Sequence, residues 1–82
     1  MVNAVFNSSF EKTFSKIRDK ALKEKIIKQI IKIRENPEIG KPMRYHRKGT
    51  REVYVPPFRF SYLYLKEEGR IVILDLYHKD EQ

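Results

Sequence analysis

Hydrophobic residues recur at helical spacing through the first half of the chain. Phe10, Phe14 and Ile17 are spaced three or four residues apart and predict a first helix over residues 8–18. A second helix is predicted over residues 19–36. Its apolar stripe consists of Leu22, Ile26, Ile30 and Ile33, and it is widened by Ile27 and Ile31. Two helices joined this tightly predict a helical hairpin.

Local signals mark the ends of these helices. Ser8 and Glu11 have the spacing of a capping box, in which each side chain bonds the other residue's amide. Asp19 is the predicted N-cap of the second helix. Asn36-Pro37 ends that helix, because the residue before a proline disfavours the helical conformation.

The spacing of apolar residues changes to two after Gly40, which predicts strands over 51–55, 58–66 and 70–78. The last of these is apolar on both faces and should lie centrally in a sheet. Residues 67–69 form the predicted hairpin loop, which would pair Lys66 with Arg70. An earlier alternation over residues 2–6 predicts a short edge strand. The expected fold is therefore α+β, with an N-terminal strand and a helical hairpin packed on a mainly antiparallel sheet in the order β-α-α-β-β-β.

Composition narrows the class of protein. The 82 residues suffice for one small domain over residues 1–82, and the absence of cysteine excludes disulfides and thiolate metal sites. Two histidines without clustered carboxylates argue against a metal, and we expect no cofactor. No apolar run is long enough for a membrane span and the first residues do not resemble a signal peptide, so a cytoplasmic protein without membrane contact is expected. The net charge of +7 favours a polyanionic partner.

A cluster of positive charge precedes the predicted strand at 51–55. This segment is basic, contains no acid, has two interleaved rings and comprises Lys41, Arg44, Tyr45, His46, Arg47 and Lys48. Arginine offers a planar fork for phosphate, and the rings offer surfaces for bases, so the segment is a candidate RNA-binding element. The alternative is a flexible basic loop without function. The lysines of the helices are predicted to form a solvated face.

Several short motifs, taken in order, are similar to those of one protein family. They are 36–43 (NPEIGKPM), 48–53 (KGTREV), 58–62 (FRFSY) and 78–80 (HKD). In this order the chain resembles the RelE/ParE superfamily of toxins from type II toxin–antitoxin modules. It lacks the tyrosine that RelE-like nucleases often have beyond the last strand, since none follows Tyr77, and Val53, Tyr54 and Val55 stand where some nucleases have lysines.

The resemblance implies a sheet with a helical hairpin on one side and one of two activities. RelE-like members are ribosome-dependent, metal-independent endonucleases that cut messenger RNA, and ParE-like members inhibit DNA gyrase without being enzymes. Both kinds form a hetero-oligomer with a small antitoxin, here expected to be acidic. A third reading is a basic nucleic-acid-binding module without catalysis. The nuclease reading is the prediction, with translation inhibited as the result.

Metal-free RNA cleavage requires a proton acceptor, cations for the phosphoryl charge and a proton donor. Arg51 and Arg59 are the candidates for holding phosphate, and His78 and Lys79 are the further catalytic candidates. Counting back from the hairpin places Arg59 opposite Tyr77, so Arg59, His78 and Lys79 should share one end of the sheet. The alternative roles are structural: an ion pair of Arg59 with Asp75 or Glu52, and a structural His78. Tyr77 is expected to fill the core, with stacking on a base as its alternative.

Overall fold

Two helices pack on one face of a sheet in the computed structural model, which describes residues 1–43 and 49–81. The regular elements within those ranges are β1 (Asn3–Phe6), α1 (Ser8–Lys16), α2 (Lys20–Glu35), β2 (Lys41–Pro42), β3 (Thr50–Val55), β4 (Phe58–Leu65) and β5 (Arg70–His78). The strands are ordered β1-β5-β4-β3-β2, with β1 parallel to β5 and every other neighbouring pair antiparallel. The predicted fold class and element order are confirmed.

The core lies between the helices and the sheet because one stripe of each helix is apolar. Phe10 of α1 meets Phe60 of β4 edge-on, with 6.3 Å between the ring centres. The buried stripe of α2 consists of Ile26, Ile30 and Ile33. Ile27 and Ile31, which were predicted to widen it, remain 45% and 41% exposed. No helix in the described part of the chain is long and apolar enough to cross a membrane.

The predicted capping box at the start of α1 is wrong. Asn7 is the N-cap residue, without a side-chain capping bond, and Ser8 is already the first helical residue. The position of the cap follows from β1, because the Asn7 amide donates a 2.9 Å hydrogen bond to Ile73 O and so ends the strand there. Ser9 has a different use, since its hydroxyl donates to Leu74 O at 2.8 Å and ties α1 to β5.

The other helix boundaries agree more closely with the sequence. Asp19 is the N-cap of α2 and accepts a hydrogen bond from the Leu22 amide at 3.2 Å, as predicted. The first helix ends at Lys16, two residues early, because Ile17 is extended. The second ends at Glu35, immediately before Asn36-Pro37.

An irregularity in the pairing of β4 and β5 determines the position of the C-terminal half of β5. Ser61 lies opposite Asp75, whereas the next residue, Tyr62, lies opposite Ile73, so Leu74 has no partner on β4. This extra residue is a β-bulge, and its carbonyl is the one that accepts from Ser9. The hairpin end pairs Leu65 with Arg70, one residue away from the predicted Lys66–Arg70 pair.

The sheet has a second face, directed away from the helices, which we call the far face. Side chains alternate along a strand, and directly paired residues share a face. Because Phe60 and Tyr62 point into the core, their neighbours Arg59 and Ser61 point to the far face. The cross-strand pairs then place further polar side chains there: Glu52, Tyr54, Asp75 and Tyr77.

Tyr62 connects the core to the segment that follows α2. Its hydroxyl donates a 2.7 Å hydrogen bond to Pro37 O and accepts one of 3.0 Å from the Gly40 amide. Burial raises the pKa of Tyr62, opposed by the Gly40 hydrogen bond and the Arg51 charge, so the hydroxyl stays a donor. Only glycine fits at residue 40, because a Cβ there would collide with the Tyr62 ring and hydroxyl.

Replacing Tyr62 with phenylalanine should lower the free energy of unfolding by about 1–3 kcal/mol. The substitution leaves the Gly40 amide and the Pro37 carbonyl without their partner in a buried place. Urea denaturation of the purified protein measures the change. Tyr64→Phe is the matched control, since Tyr64 is partly buried against the same core, and equal losses in the two variants would contradict the assigned role.

Candidate functional site

Arg59 lies in a group of polar side chains on the far face. Its Nη1 atom is 3.8 Å from Oε1 of Glu52. The Tyr77 hydroxyl donates a 3.1 Å hydrogen bond to Oε2 of the same carboxylate. The Arg59 guanidinium carbon is also 5.4 Å from the centre of the Tyr54 ring. These four side chains, from three strands, form one connected group that we call the Arg59 cluster.

Strand register explains why these residues meet. Arg59 lies directly opposite Tyr54 on β3 and opposite Tyr77 on β5. Side chains of directly opposed residues are about 4.5–5.5 Å apart at Cβ, within reach of long and aromatic side chains. Glu52 is two residues from Tyr54 and therefore lies on the same face in the adjacent row. The predicted position of Arg59 opposite Tyr77 is confirmed.

The cluster positions Arg59 but leaves part of its guanidinium exposed to a ligand. The side chains of Arg59 and Glu52 are 32% and 20% exposed, and their contact is long for a salt bridge. Partly exposed pairs of this kind contribute at most about 1 kcal/mol. An incoming phosphate can therefore replace the carboxylate at the guanidinium, while the Tyr54 ring keeps the arginine oriented.

Arg51 lies on the other face and performs a structural task. It is paired with the core residue Tyr62 on β4, so the alternation that directs Arg59 to the far face directs Arg51 to the helix side. Its Nη1 atom donates to Glu38 O at 2.9 Å and to Gly40 O at 2.8 Å. The two arginines that the sequence suggested for one phosphate site are thus not brought together.

His78 and Lys79 lie at the same end of the sheet as Arg59, as expected. His78 is opposite Phe58, which is next to Arg59 along β4, and its ring meets the Phe58 ring edge-on at 5.7 Å. The His78 Nδ1 atom lies 3.3 Å from the Asp80 amide nitrogen and 3.6 Å from Oδ2 of the Asp80 carboxylate. The exposed Lys79 is held through its amide, which donates to Pro57 O at 3.0 Å.

The basic segment is only partly within the described residues. Lys41 is exposed and lies opposite Glu52 in the register, so the segment starts beside the Arg59 cluster. The other candidate RNA-binding residues lie outside the described residues: Arg44, Tyr45, His46, Arg47 and Lys48. Their predicted role stays a prediction.

Sequence reasoning underestimated three members of the cluster. Glu52 was considered only as an ion-pair partner for Arg59, Tyr77 was expected in the core, and Tyr54 was noted only as standing in place of a lysine. The sequence does contain a signal for the face on which Glu52 and Tyr54 lie, because these two residues alternate with apolar Val53 and Val55. On a half-buried strand, this pattern places both polar residues on the face away from the core.

Comparisons with known proteins agree with this architecture. A family model described as the ParE toxin of the type II toxin–antitoxin system parDE matches residues 4–82. No curated protein sequence matches the chain.

Solved structures share the fold at low sequence identity. The intact E. coli RelBE toxin–antitoxin complex contains a chain with 14% identity and a TM-score of 0.83, over 95% of this chain and 96% of that one. The YoeB/ParE toxin from Agrobacterium tumefaciens is 18% identical, with a TM-score of 0.82 over 93% and 96% of the two chains. The RelBE2 toxin–antitoxin complex from Mycobacterium tuberculosis is 21% identical, with a TM-score of 0.68 over 95% and 98%.

The family match spans nearly the whole chain and covers every strand of the sheet except the first residue of β1. The chain belongs to the ParE toxin family. It is thus a toxin of a type II toxin–antitoxin system, within the RelE/ParE superfamily that its motifs resemble.

The different tasks of the two arginines lead to a stability test. Arg51→Ala should lower the free energy of unfolding by about 1–3 kcal/mol, because two carbonyls lose a charged donor. Arg59→Ala should cost at most about 1 kcal/mol, because its ion pair is long and partly exposed. Urea denaturation of both variants checks the order, and a larger loss for Arg59→Ala would contradict the placement of the two side chains.

Proposed function

We propose that this toxin is a metal-independent endoribonuclease that cleaves messenger RNA on the ribosome and thereby inhibits translation. The observation that carries the proposal is the Arg59 cluster. It puts a carboxylate, a guanidinium and a phenol hydroxyl in contact on one face of the sheet. The group thus offers a proton acceptor and a cation for a phosphate at one place.

These groups match the needs of RNA cleavage by the 2′-hydroxyl. The 2′-oxygen forms a bond to phosphorus and the bond from phosphorus to the 5′-oxygen breaks, leaving a cyclic phosphate. We assign Glu52 to accept the 2′-proton and Arg59 to stabilise the charge on the phosphoryl oxygens. Proton transfer of this kind contributes about 10²–10⁴-fold and charge stabilisation is usually the larger effect.

The proton for the leaving 5′-oxygen has two candidate donors. Tyr77 already bonds Glu52, and His78 follows it at the same end of the sheet. Lys79 adds positive charge there. The remaining predicted contacts belong to the basic segment, which would hold the phosphates on either side of the cleaved bond. This function places the protein in the cytoplasm, where its substrate is.

A ParE-like inhibitor of DNA gyrase is the second candidate. The observation that favours it is the family model itself, which is described by the ParE toxin. The position of Arg51 is consistent with it, because Arg51 points to the helix side and leaves Arg59 as the one arginine of the Arg59 cluster, where a strongly charged phosphate site would use two. In that case the Arg59 cluster would be a protein-binding surface.

We also propose that a cognate acidic antitoxin forms a hetero-oligomer with this chain. The two structural relatives crystallised as toxin–antitoxin complexes support this, since they share the fold over nearly the whole chain. Arg59 is partly exposed and only loosely paired, so a carboxylate of the antitoxin can take the place of Glu52. The antitoxin would then occupy the position of the substrate phosphate.

Primer extension on messenger RNA after induction of the protein in cells tests the nuclease. The wild type should give breaks in phase with codons. Arg59→Ala should reduce cleavage about 10²–10³-fold and Glu52→Gln about 10²–10⁴-fold. Arg70→Ala is the matched control, because Arg70 pairs with Glu68 in the hairpin at the opposite end of β5 and should leave cleavage intact. Intact transcripts accompanied by DNA damage would instead establish gyrase inhibition.

Calorimetric titration with the antitoxin tests the shared site. Arg59→Ala should weaken binding by about 2–5 kcal/mol, because a carboxylate of the inhibitor loses its partner in a desolvated interface. The same Arg70→Ala control should bind like the wild type. If Arg59→Ala binds equally tightly but is no longer toxic, the antitoxin acts at a place other than the Arg59 cluster.

A further inference from the structure

Three lysines of α2 line a cleft beside the edge of the sheet. Lys25, Lys28 and Lys32 are three and four residues apart, so they lie on one side of the helix. The cleft has a volume of about 260 Å³, and its other lining residues are Gln29, Tyr54, Val55 and Pro56. We call Lys25, Lys28 and Lys32 the lysine stripe.

The sheet offers an accessible edge at this place. The short strand β2 pairs only with Arg51 and Glu52, so it stops before the part of β3 that borders the cleft. Tyr54 and Val55 lie beyond that pairing. A ligand can therefore pass from the cleft around the edge of β3 to the far face.

The lysine stripe has no partner of opposite charge within the described residues. The ion pairs described there involve Arg59, Arg70 and His78. Like charges at these spacings disfavour the helix. The helix dipole compensates for a lysine in the last turn, such as Lys32, but not for Lys25 and Lys28 in the middle. Two of the three charges are thus explained neither by an internal ion pair nor by the helix dipole.

Tyr54 joins the lysine stripe to the Arg59 cluster. The residue borders the cleft at the edge of β3, and its ring lies against the Arg59 guanidinium. The residue is 47% exposed although it belongs to a sheet strand. An exposed ring that lies against Arg59 and borders a lysine-lined cleft is an arrangement with which proteins bind single-stranded nucleic acid, because bases stack on the ring and phosphates meet the charges.

We propose that the lysine stripe, Tyr54 and Arg59 form one binding track for single-stranded RNA. This inference rests on the proposed function, since it extends the path of the substrate away from the cleaved bond. The phosphate to be cleaved lies at Arg59, a neighbouring base stacks on Tyr54, and the next phosphates follow Lys25, Lys28 and Lys32. The lysines are separated by about 4.5 Å and 6 Å along the helix axis, which suits successive phosphates of an extended strand. An acidic protein would match the charges but would leave the ring without a stacking partner.

Binding of a short 2′-O-methyl RNA, followed by fluorescence anisotropy over a range of salt concentrations, tests the track. This RNA lacks the 2′-hydroxyl nucleophile and is not cut. The triple variant Lys25→Gln, Lys28→Gln, Lys32→Gln should lower the slope of log affinity against log salt by about 2, from about 0.7 for each lost contact. When the salt concentration is lowered ten-fold, the ratio of wild-type affinity to variant affinity should therefore rise about 100-fold.

A second triple variant carries the same change of charge elsewhere. Lys12→Gln, Lys16→Gln, Lys20→Gln alters three exposed lysines that do not line the cleft and should keep the wild-type slope. Tyr54→Ala should weaken binding at every salt concentration without changing the slope, because it removes stacking and no cation. Equal slopes for the two triple variants would overturn the track, whether both fall or neither does.

Three further outcomes separate this inference from the proposed function and from binding of an acidic protein. If the wild type binds through the lysine stripe but cuts no messenger RNA, the nuclease proposal fails and the track stands. If the wild type cuts but the two triple variants bind alike, the track fails alone. If the lysine-stripe variant loses affinity for the antitoxin while its RNA slope is unchanged, the stripe binds an acidic protein and the track is overturned.

Discussion

The pairing of β4 with β3 on one side and β5 on the other determines which face of the sheet Arg51 and the members of the Arg59 cluster occupy. Phe60 and Tyr62 are completely buried under the helices, and that burial forces Arg59 to the far face. A shift of one residue in this strand would exchange its two faces, placing a guanidinium in the core and a phenylalanine on the surface. The cost of that exchange is what maintains the register. The Arg59 cluster is therefore positioned by the hydrophobic core on the opposite side of the sheet, more than by its own weak contacts.

The order of the elements could be predicted because hydrophobic period is a local property. The match of Arg59 with Tyr77 was predicted too, but for a reason that was partly wrong. The predicted hairpin paired Lys66 with Arg70, whereas Leu65 is the observed partner of Arg70. The extra residue Leu74 shifts the register by one and restores the predicted pairing beyond it. No linear sequence pattern predicts this bulge, whose Leu74 carbonyl accepts a hydrogen bond from Ser9 of a helix 65 residues earlier in the chain.

Contacts between distant parts of the chain also determine the positions of individual side chains, and these contacts are not visible in the sequence pattern. Ser8 and Glu11 have the correct spacing for a capping box, but the end of β1 moves the cap to Asn7. Arg51 was recognised as a residue of interest, yet which side of the sheet it occupies depends on its pairing with Tyr62. Sequence motifs identify the residue types of the candidate site. Their partners follow from register, which is a property of the folded sheet.

The sheet places the last strand between the first strand and the rest. β1 pairs with β5 in parallel, so Asn3 lies opposite Arg70, and β5 also forms one wall of the core beneath α1. During synthesis on a ribosome, β1 and the apolar side of α1 remain without this partner until the chain through His78 has emerged. Tyr77 arrives with the same strand, so the group around Arg59 is incomplete on a nascent chain. The connectivity therefore leaves the Arg59 cluster incomplete until β5 has been synthesised and has paired with β4.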